Sequence, residues 1–280
     1  MRFVFVTYEG QASYSKNDAL VADWLIGEGH EVTAIPWTEP VSSLNDYDLI
    51  VMRSAWDYPR RAAEFARWLD AVAELPVANT ASLMRWNSNK RYLLDLAQQS
   101  VNIPRTKILK PGDNLDQLMS EWDVDTAVVK PTVGASGQGV VKVQRGDQLP
   151  DAQETNVQWL IQEFMPEIAA GEASLCFFGG KFSHAILKQP QAGEFRINQA
   201  FGGRNLPLTP ATEMVQAAQA VLESLDHVPL YARVDGLMQD STFVLFELEL
   251  VEPSFYFLVA PEAAQHFGRA IVDHALALLE

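Results

Sequence analysis

The stretch VVKPTVGASGQGVVKV, Val128 to Val143, sets Gly134, Gly137, Gly139 and Ser136 between two β-branched runs, with Lys130 just upstream. Glycine loops that hold phosphate commonly join a strand to a helix, whose N-terminus helps to bind the anion. Here Gly139 is followed by Val140-Val141-Lys142-Val143, which favours strand, and Gly146 and Pro150 then bar a helix of useful length. The loop carries neither GxxxxGK[ST] nor the dinucleotide fingerprint. A glycine hairpin of this kind could hold an anion through backbone N–H groups in a concavity, with charge supplied by lysines and metal. A plain hairpin turn is the alternative.

With 280 residues, the chain can form one large domain or two to three small ones. Its 48% apolar and 20% charged residues suit a globular protein that needs no staples. The single cysteine, Cys176 in the apolar run SLCFF, excludes an intramolecular disulfide framework and a cysteine zinc site, and reads as a buried, inert thiol. The start MRFVFVTYEG reads as a strand and not a signal peptide, and no apolar run is long enough to span a membrane. A cytoplasmic protein is expected. A net charge of −15 disfavours nucleic acid. Residues 1–105 hold 10 basic and 13 acidic residues, whereas 106–280 hold 11 and 23. A few cations in so acidic a segment suggest one focused anion site beside carboxylates that could hold metal.

The opening reads β–α–β. RFVFV is a strand, Ser15 could cap a helix through Leu20, Trp24 and Leu25, EVTAI is a second strand and DLIVMR a third. Helical spacing follows at about 60–74 and 87–99. Residues 1–105 are therefore expected to form a small parallel α/β domain. Loops at the carboxyl ends of such strands tend to carry ligands, which makes Arg53, Ser54, Trp56, Asp57 and Tyr58 of RSAWDY candidates for substrate contact. NIPRTKIL marks a boundary, and from Ala127 onward strands joined by turns dominate: AVVKP, GVVKV, VQWLIQEF, EASLCFFGG, KFSHAILKQ. A helix at about 213–225, the strands YARVDGLM and TFVLFELEL, and a helix from Pro261 complete the pattern.

Alternation along FELEL puts Glu247 and Glu249 on one strand face, with Phe246, Leu248 and Leu250 on the other. Paired carboxylates in an apolar strand are costly unless a cation neutralises them. With Asp235 on the neighbouring strand they form a triad suited to Mg²⁺, and Arg233 shares the face of Asp235. A solvated, salt-bridged sheet face is the alternative. Gln162, Glu163 and Phe164 close a strand whose backbone could read an adenine edge, and Glu172 could accept from ribose hydroxyls; exposed glutamates at strand ends are the plainer reading. KQPQAGEFRINQAFGGR gathers Lys188, Glu194, Arg196, Asn198 and Arg204 without an apolar period, as expected of a loop lining a site for a carboxylate or acyl phosphate. The five histidines have no metal spacing, and no serine–histidine–acid or HExxH pattern occurs.

Taken in order, Lys90 on a helix, Lys130 on a strand, the glycine hairpin, Glu163 and Glu172, Arg233 with Asp235, and Glu247 with Glu249 resemble the motif series of the ATP-grasp superfamily along nearly the whole chain. GEFRINQAFGGR resembles the segment that closes over the acyl phosphate in the bacterial glutathione synthetase-like branch. Together with RSAWDY and ELELVEPS it resembles the cycloserine-forming synthetases of antibiotic pathways. The resemblance implies an N-terminal parallel α/β domain (1–105), a central lid subdomain (106–165) and a C-terminal α+β catalytic subdomain (166–280). It implies ATP and Mg²⁺ as cofactors. Lys90, Lys130, Gly134, Ser136, Gly137, Gly139, Gln162, Glu163, Phe164 and Glu172 would hold nucleotide, and Asp235, Glu247 and Glu249 the metal. Glu249 departs from the asparagine frequent at that place. Arg196, Arg204 and Arg233 would stabilise the transferring phosphoryl group, with Lys188, Glu194, Asn198 and Glu252 on the substrate side. The implied activity is an ADP-forming carboxylate–amine ligase acting through an acyl phosphate on a small amino-acid-like molecule, cyclising one substrate or joining two. Phosphoryl transfer needs positioning and charge neutralisation more than a protein nucleophile. A non-catalytic nucleotide-binding module and a modifier of protein tails are the other classes; the latter should carry a basic run, which this chain lacks. No nucleic acid or membrane partner is expected, and a homodimer is compatible with the sequence.

Overall fold

The computed structural model describes residues 1–11, 13–147 and 157–279. Pro150, expected to bar a helix after the glycine hairpin, lies outside them. The strands of the described residues form three sheets. In the first, β1 (Arg2–Thr7), β2 (Glu31–Pro36), β3 (Leu49–Met52) and β4 (Val77–Ala78) pair in parallel in the order β2-β1-β3-β4. The intervening α1 (Lys16–Gly27) starts where Ser15 Oγ accepts from the Asp18 N–H at 3.0 Å. Successive residues of β1 point to opposite faces, so Phe3 and Phe5 pack towards α1 while Val4 and Val6 pack towards α2 (Ala62–Ala71).

The helical spacing near 87–99 corresponds to α4 (Tyr92–Gln98), which is preceded by a further short helix, α3 (Ala81–Asn87). Lys90, expected on a helix, lies in the turn between them. Its N–H donates to Thr132 O at 2.7 Å, and the Asn89 side chain accepts from the Arg91 N–H at 3.0 Å, so local side-chain bonding replaces the helical ladder here.

The second sheet is antiparallel, ordered β5-β8-β6-β7, from β5 (Thr106–Ile108), β6 (Thr126–Pro131), β7 (Val141–Gln144) and β8 (Trp159–Glu163). One face packs Ala127, Val129, Val143 and Ile161 under α5 (Leu115–Glu121), which leaves Val128, Lys130 and Gln162 on the other. The third sheet holds β9 (Glu172–Phe178), β10 (Lys181–Gln189), β11 (Arg204–Leu208), β12 (Tyr231–Gln239) and β13 (Thr242–Glu249), in the order β11-β10-β9-β12-β13. Its outer face buries Ala173, Leu175, Phe177, Ala232, Val234, Leu248 and Leu250 against α4 and α6 (Thr212–Glu223). The alternate residues Glu172, Ser174, Lys188, Arg233, Asp235, Glu247 and Glu249 form a polar inner face. Further along β9, Cys176 and Phe178 join the core beneath α7 (Ala263–Ala277), and burial pushes the Cys176 thiol well up, as its apolar run implied. No helix among the described residues is long and apolar enough to cross a membrane.

Candidate active site

The second and third sheets face each other across a cavity of about 510 Å³. Its floor is built by register. Asp235 stands opposite Glu247, and Arg233 opposite Glu249, on β12 and β13; Ser174 stands opposite Asp235 on β9. Carboxylate oxygens of Asp235, Glu247 and Glu249 lie within 4.8 Å of one another; the two glutamates line the cavity, whereas Asp235 is buried beside them and does not. Each acid has a protein cation. Lys188 Nζ lies 2.7 Å from Asp235 and 2.6 Å from Glu172, Arg233 donates to Asp235 at 2.9 Å and also to Glu249, and Lys90 Nζ lies 2.8 Å from Glu247. Ser174 Oγ donates to the other Asp235 oxygen at 2.7 Å.

Burial drives these groups towards neutrality, and their partners decide the outcome. Burial raises Asp235, but Arg233 and Lys188 outweigh it and hold the carboxyl well below the usual range. Burial lowers Lys188, yet Asp235 and Glu172 keep it firmly charged. Glu249 shares Arg233 with Asp235, so burial and the neighbouring Glu247 push it up to about 7 against the pull of Arg233. Glu252, three residues on, is raised to about 8 by burial and then by Glu249.

The roof is the glycine hairpin between β6 and β7, of which Gly134, Ser136 and Gly137 line the cavity. Ser136 and Gly137 have φ of +56° and +70°. A Cβ on Gly137 would lie 2.5 Å from Asn198 Oδ1, and its positive φ also favours glycine, so the hairpin closely approaches the 194–203 loop at a residue suited to both. Gly139, expected at the nucleotide, faces elsewhere: a Cβ there would meet Pro131 and Trp159, and the residue serves the turn. Lys90 Nζ donates to Gly134 O at 2.8 Å and so ties roof to floor. Lys130 has no acid within ion-pair distance among the described residues, and burial lowers its amine to about 8. Gln162, Glu163 and Phe164 line one end of the cavity. Arg105 holds the Glu163 carboxylate with two bonds at 2.8 and 2.9 Å, which leaves Glu163 its backbone carbonyl for a ligand.

The remaining expectations divide. Trp56 and Tyr58 of RSAWDY line the cavity. Arg53, Ser54 and Asp57 do not: Arg53 is sealed in the interior by Asp18 at 2.9 Å and Pro253 O at 3.0 Å, Ser54 is buried beside β1, and Asp57 accepts from Trp37 Nε1 at 2.8 Å. Arg196 and Asn198 line the cavity, and the Arg196 guanidinium lies 3.6 Å from the Phe201 ring centroid. Glu194 does not line it; it clamps Arg196 at 2.7 Å, and its hydrogen bonds from Arg196 hold its carboxyl down at about 2. Arg204 is exposed on β11. It pairs with Gln189, whereas the next residue, Asn205, pairs with Lys188 and lines the cavity, so alternation turns Arg204 away.

Three contributors escaped the sequence reading. A bulge between Asp235 and Gly236 leaves Phe246 without a cross-strand partner and brings it into the cavity lining, although alternation alone assigns it to the opposite face. Tyr256, with φ of +55°, places its ring 5.4 Å from the Arg233 guanidinium. Ser174 buttresses Asp235 and was visible only once β9 was paired with β12.

Residues 3–79 match the family described as D-cycloserine synthetase DcsG, N-terminal domain, and residues 91–233 match the prokaryotic glutathione synthetase, ATP-grasp domain. The cycloserine biosynthesis protein DcsG of Streptomyces lavendulae is 27% identical over 259 residues, covering 85% of this chain and 86% of the relative. The crystal structure of D-cycloserine synthetase DcsG superposes with a TM-score of 0.83 at 23% identity, covering 98% of this chain and all of that one (100%). D-alanine–D-alanine ligase from Bacillus anthracis complexed with ATP has the same fold at a TM-score of 0.72 and 18% identity, covering 99% of this chain and 98% of that one. Facing antiparallel sheets, a glycine hairpin roof and an acid triad on the floor are thus joined to a match over half the chain: the protein belongs to the ATP-grasp ligases of prokaryotic glutathione synthetase type, which form a carbon–nitrogen bond.

Proposed function

We propose that the chain is an ADP-forming ligase that phosphorylates the carboxylate of a small amino-acid-like substrate and closes that substrate into a ring. The observation that carries this reading is the group of three close carboxylates, Glu247 and Glu249 lining the cavity and Asp235 buried beside them, together with a glycine hairpin above and a Lys130 that has no acid of its own among the described residues. Three carboxylates so close together fit a hard divalent cation with oxygen ligands, and they would hold Mg²⁺. When bound, the ion would supply positive charge to neutralise phosphate.

The protein's own groups supply the rest. Lys90, Lys130 and the N–H groups of Gly134 to Gly137 embrace the phosphates; the backbone of Glu163 and Phe164 reads the adenine edge, beside Gln162; Glu172 reaches the ribose. A substrate carboxylate oxygen attacks the γ-phosphorus as the bond to the ADP oxygen breaks. A nitrogen then attacks the carbonyl carbon, a C–N bond forms, phosphate leaves with the C–O electron pair, and the nitrogen gives up its proton to the departing phosphate. Arg233 and Arg196 stabilise charge on the transferring group. The closed hairpin keeps water from the acyl phosphate.

Segments 1–105, 106–165 and 166–280 serve as substrate-side domain, lid and catalytic floor. The likeness to DcsG along 85% of the chain favours cyclisation in antibiotic biosynthesis over intermolecular peptide formation. A small cytoplasmic metabolite suits a cavity of about 510 Å³.

ADP release with Mg²⁺ across a panel of amino-acid-like carboxylates, O-ureido-serine included, followed by mass spectrometry, tests the reading. ADP with one compound that loses a water supports cyclisation, and ADP only with pairs of compounds replaces it by peptide formation. Glu247→Gln should abolish ADP release with the circular dichroism unchanged; full activity would sink the metal assignment.

A further inference from the structure

Glu252 stands apart from every other acid of the cavity. It is 8% exposed, lines the cavity, and has no ion pair or hydrogen bond to another residue's side chain among the described residues. The nearby cations are taken, Lys90 by Glu247 and Arg233 by Asp235 and Glu249. Glu252 also lies outside the group of three carboxylates close enough to share an ion. A buried carboxyl without a counterion is costly, and the cost is removed when a ligand brings a positive charge.

The segment that carries Glu252 is held rigidly. Leu250 O accepts from Asn79 Nδ2 at 2.9 Å and Val251 O from the Tyr231 hydroxyl at 2.9 Å. Arg53 then donates to Pro253 O at 3.0 Å and Arg233 to Ser254 O at 2.9 Å. Bonds on both sides of Glu252 therefore fix its Cα, a placement suited to recognition by position. Tyr58 and Trp56 line the same cavity, and apolar ring walls strengthen the attraction between a carboxylate and an ammonium by excluding water.

Building on the ligase reading above, we propose that Glu252 binds the α-ammonium group of the amino-acid substrate and so aims its carboxylate at Arg233, which is anchored to the same segment. Glu252 is then a specificity determinant: it admits zwitterions and rejects simple carboxylic acids.

The test compares O-ureido-serine with its desamino analogue, 3-(ureidooxy)propanoate, in the wild type and in Glu252→Gln, scored by ADP release. The wild type should prefer the amino acid in kcat/KM by about 10- to 100-fold, as for one buried charge-assisted pair, and E252Q should lose most of that preference. Calorimetric affinity for Mg²⁺–nucleotide should be the same in both. A merely structural Glu252 would depress both substrates equally and leave the preference intact, which overturns the assignment. A raised Mg²⁺ requirement with intact preference overturns it in favour of a metal role. No ADP from the wild type with any panel compound overturns the ligase reading and this assignment together, whereas ADP release with an unchanged preference overturns this assignment alone.

Discussion

Arg53 and Arg233 are both almost fully buried, at 2% and 5% exposure, and they donate to neighbouring carbonyls of one segment, Pro253 and Ser254. Their surroundings separate them. Arg53 meets one acid, Asp18, and its guanidinium lies over the rings of Tyr231, Phe255 and Phe267 at 5.6, 4.8 and 5.2 Å. Charge is matched one to one and sealed in aromatic carbon, so nothing remains for a ligand to do. Arg233 is divided between Asp235 and Glu249 and opens onto the cavity, where Glu249 is left near 7 and Glu252 without a cation. Burial alone does not mark an arginine as functional; unbalanced charge beside a cavity does.

The comparison breaks first on stability. Arg53→Met strands the Asp18 carboxylate in the core and should cost about 3–5 kcal/mol in urea unfolding. Adding Asp18→Asn should recover part of that loss, while ADP release per folded molecule stays near wild type. Arg233→Met should do the reverse. If Arg233 stabilises the transferring group as proposed, its loss should lower kcat by about 100- to 1,000-fold, and calorimetric nucleotide affinity should change far less. Equal loss of turnover in the two single variants would erase the distinction drawn here.

Period-two patterns were the most legible part of the chain. YARVDG and FELEL placed Arg233, Asp235, Glu247 and Glu249 on one face, because side-chain alternation is a local property. It failed at Phe246, where a bulge that depends on the partner strand resets the register. RSAWDY was rightly placed at the end of a parallel strand. Which of its side chains turn inward depends on partners far along the chain: Asp18 is 35 residues from Arg53, and Pro253 is 200 away. Lys90 reads as helical because apolar spacing runs on through the turn, while its N–H is held by Thr132 O, just past the end of β6 and 42 positions away along the chain. Arg204 is misplaced because it closes the polar run KQPQAGEFRINQAFGGR, which reads as loop for want of an apolar period, yet it opens the edge strand β11, where alternation turns it away from the cavity.

The smallest expected effects sharpen the same contrast on the surface of the 194–208 segment. Arg196 lines the cavity, is oriented by Glu194 and rests on Phe201, so it is presented to a ligand before one arrives. Arg196→Ala should lower kcat/KM by about tenfold, the scale of one charge-assisted hydrogen bond at a partly exposed site. Arg204 lies only eight residues on, with the same charge, but it opens the edge strand β11 and is turned away from the cavity. Arg204→Ala should leave kcat/KM within about twofold of wild type and the unfolding midpoint unchanged, as for most surface substitutions. A large loss in that variant would mean that Arg204 reaches the ligand after all, and would erase its contrast with Arg196.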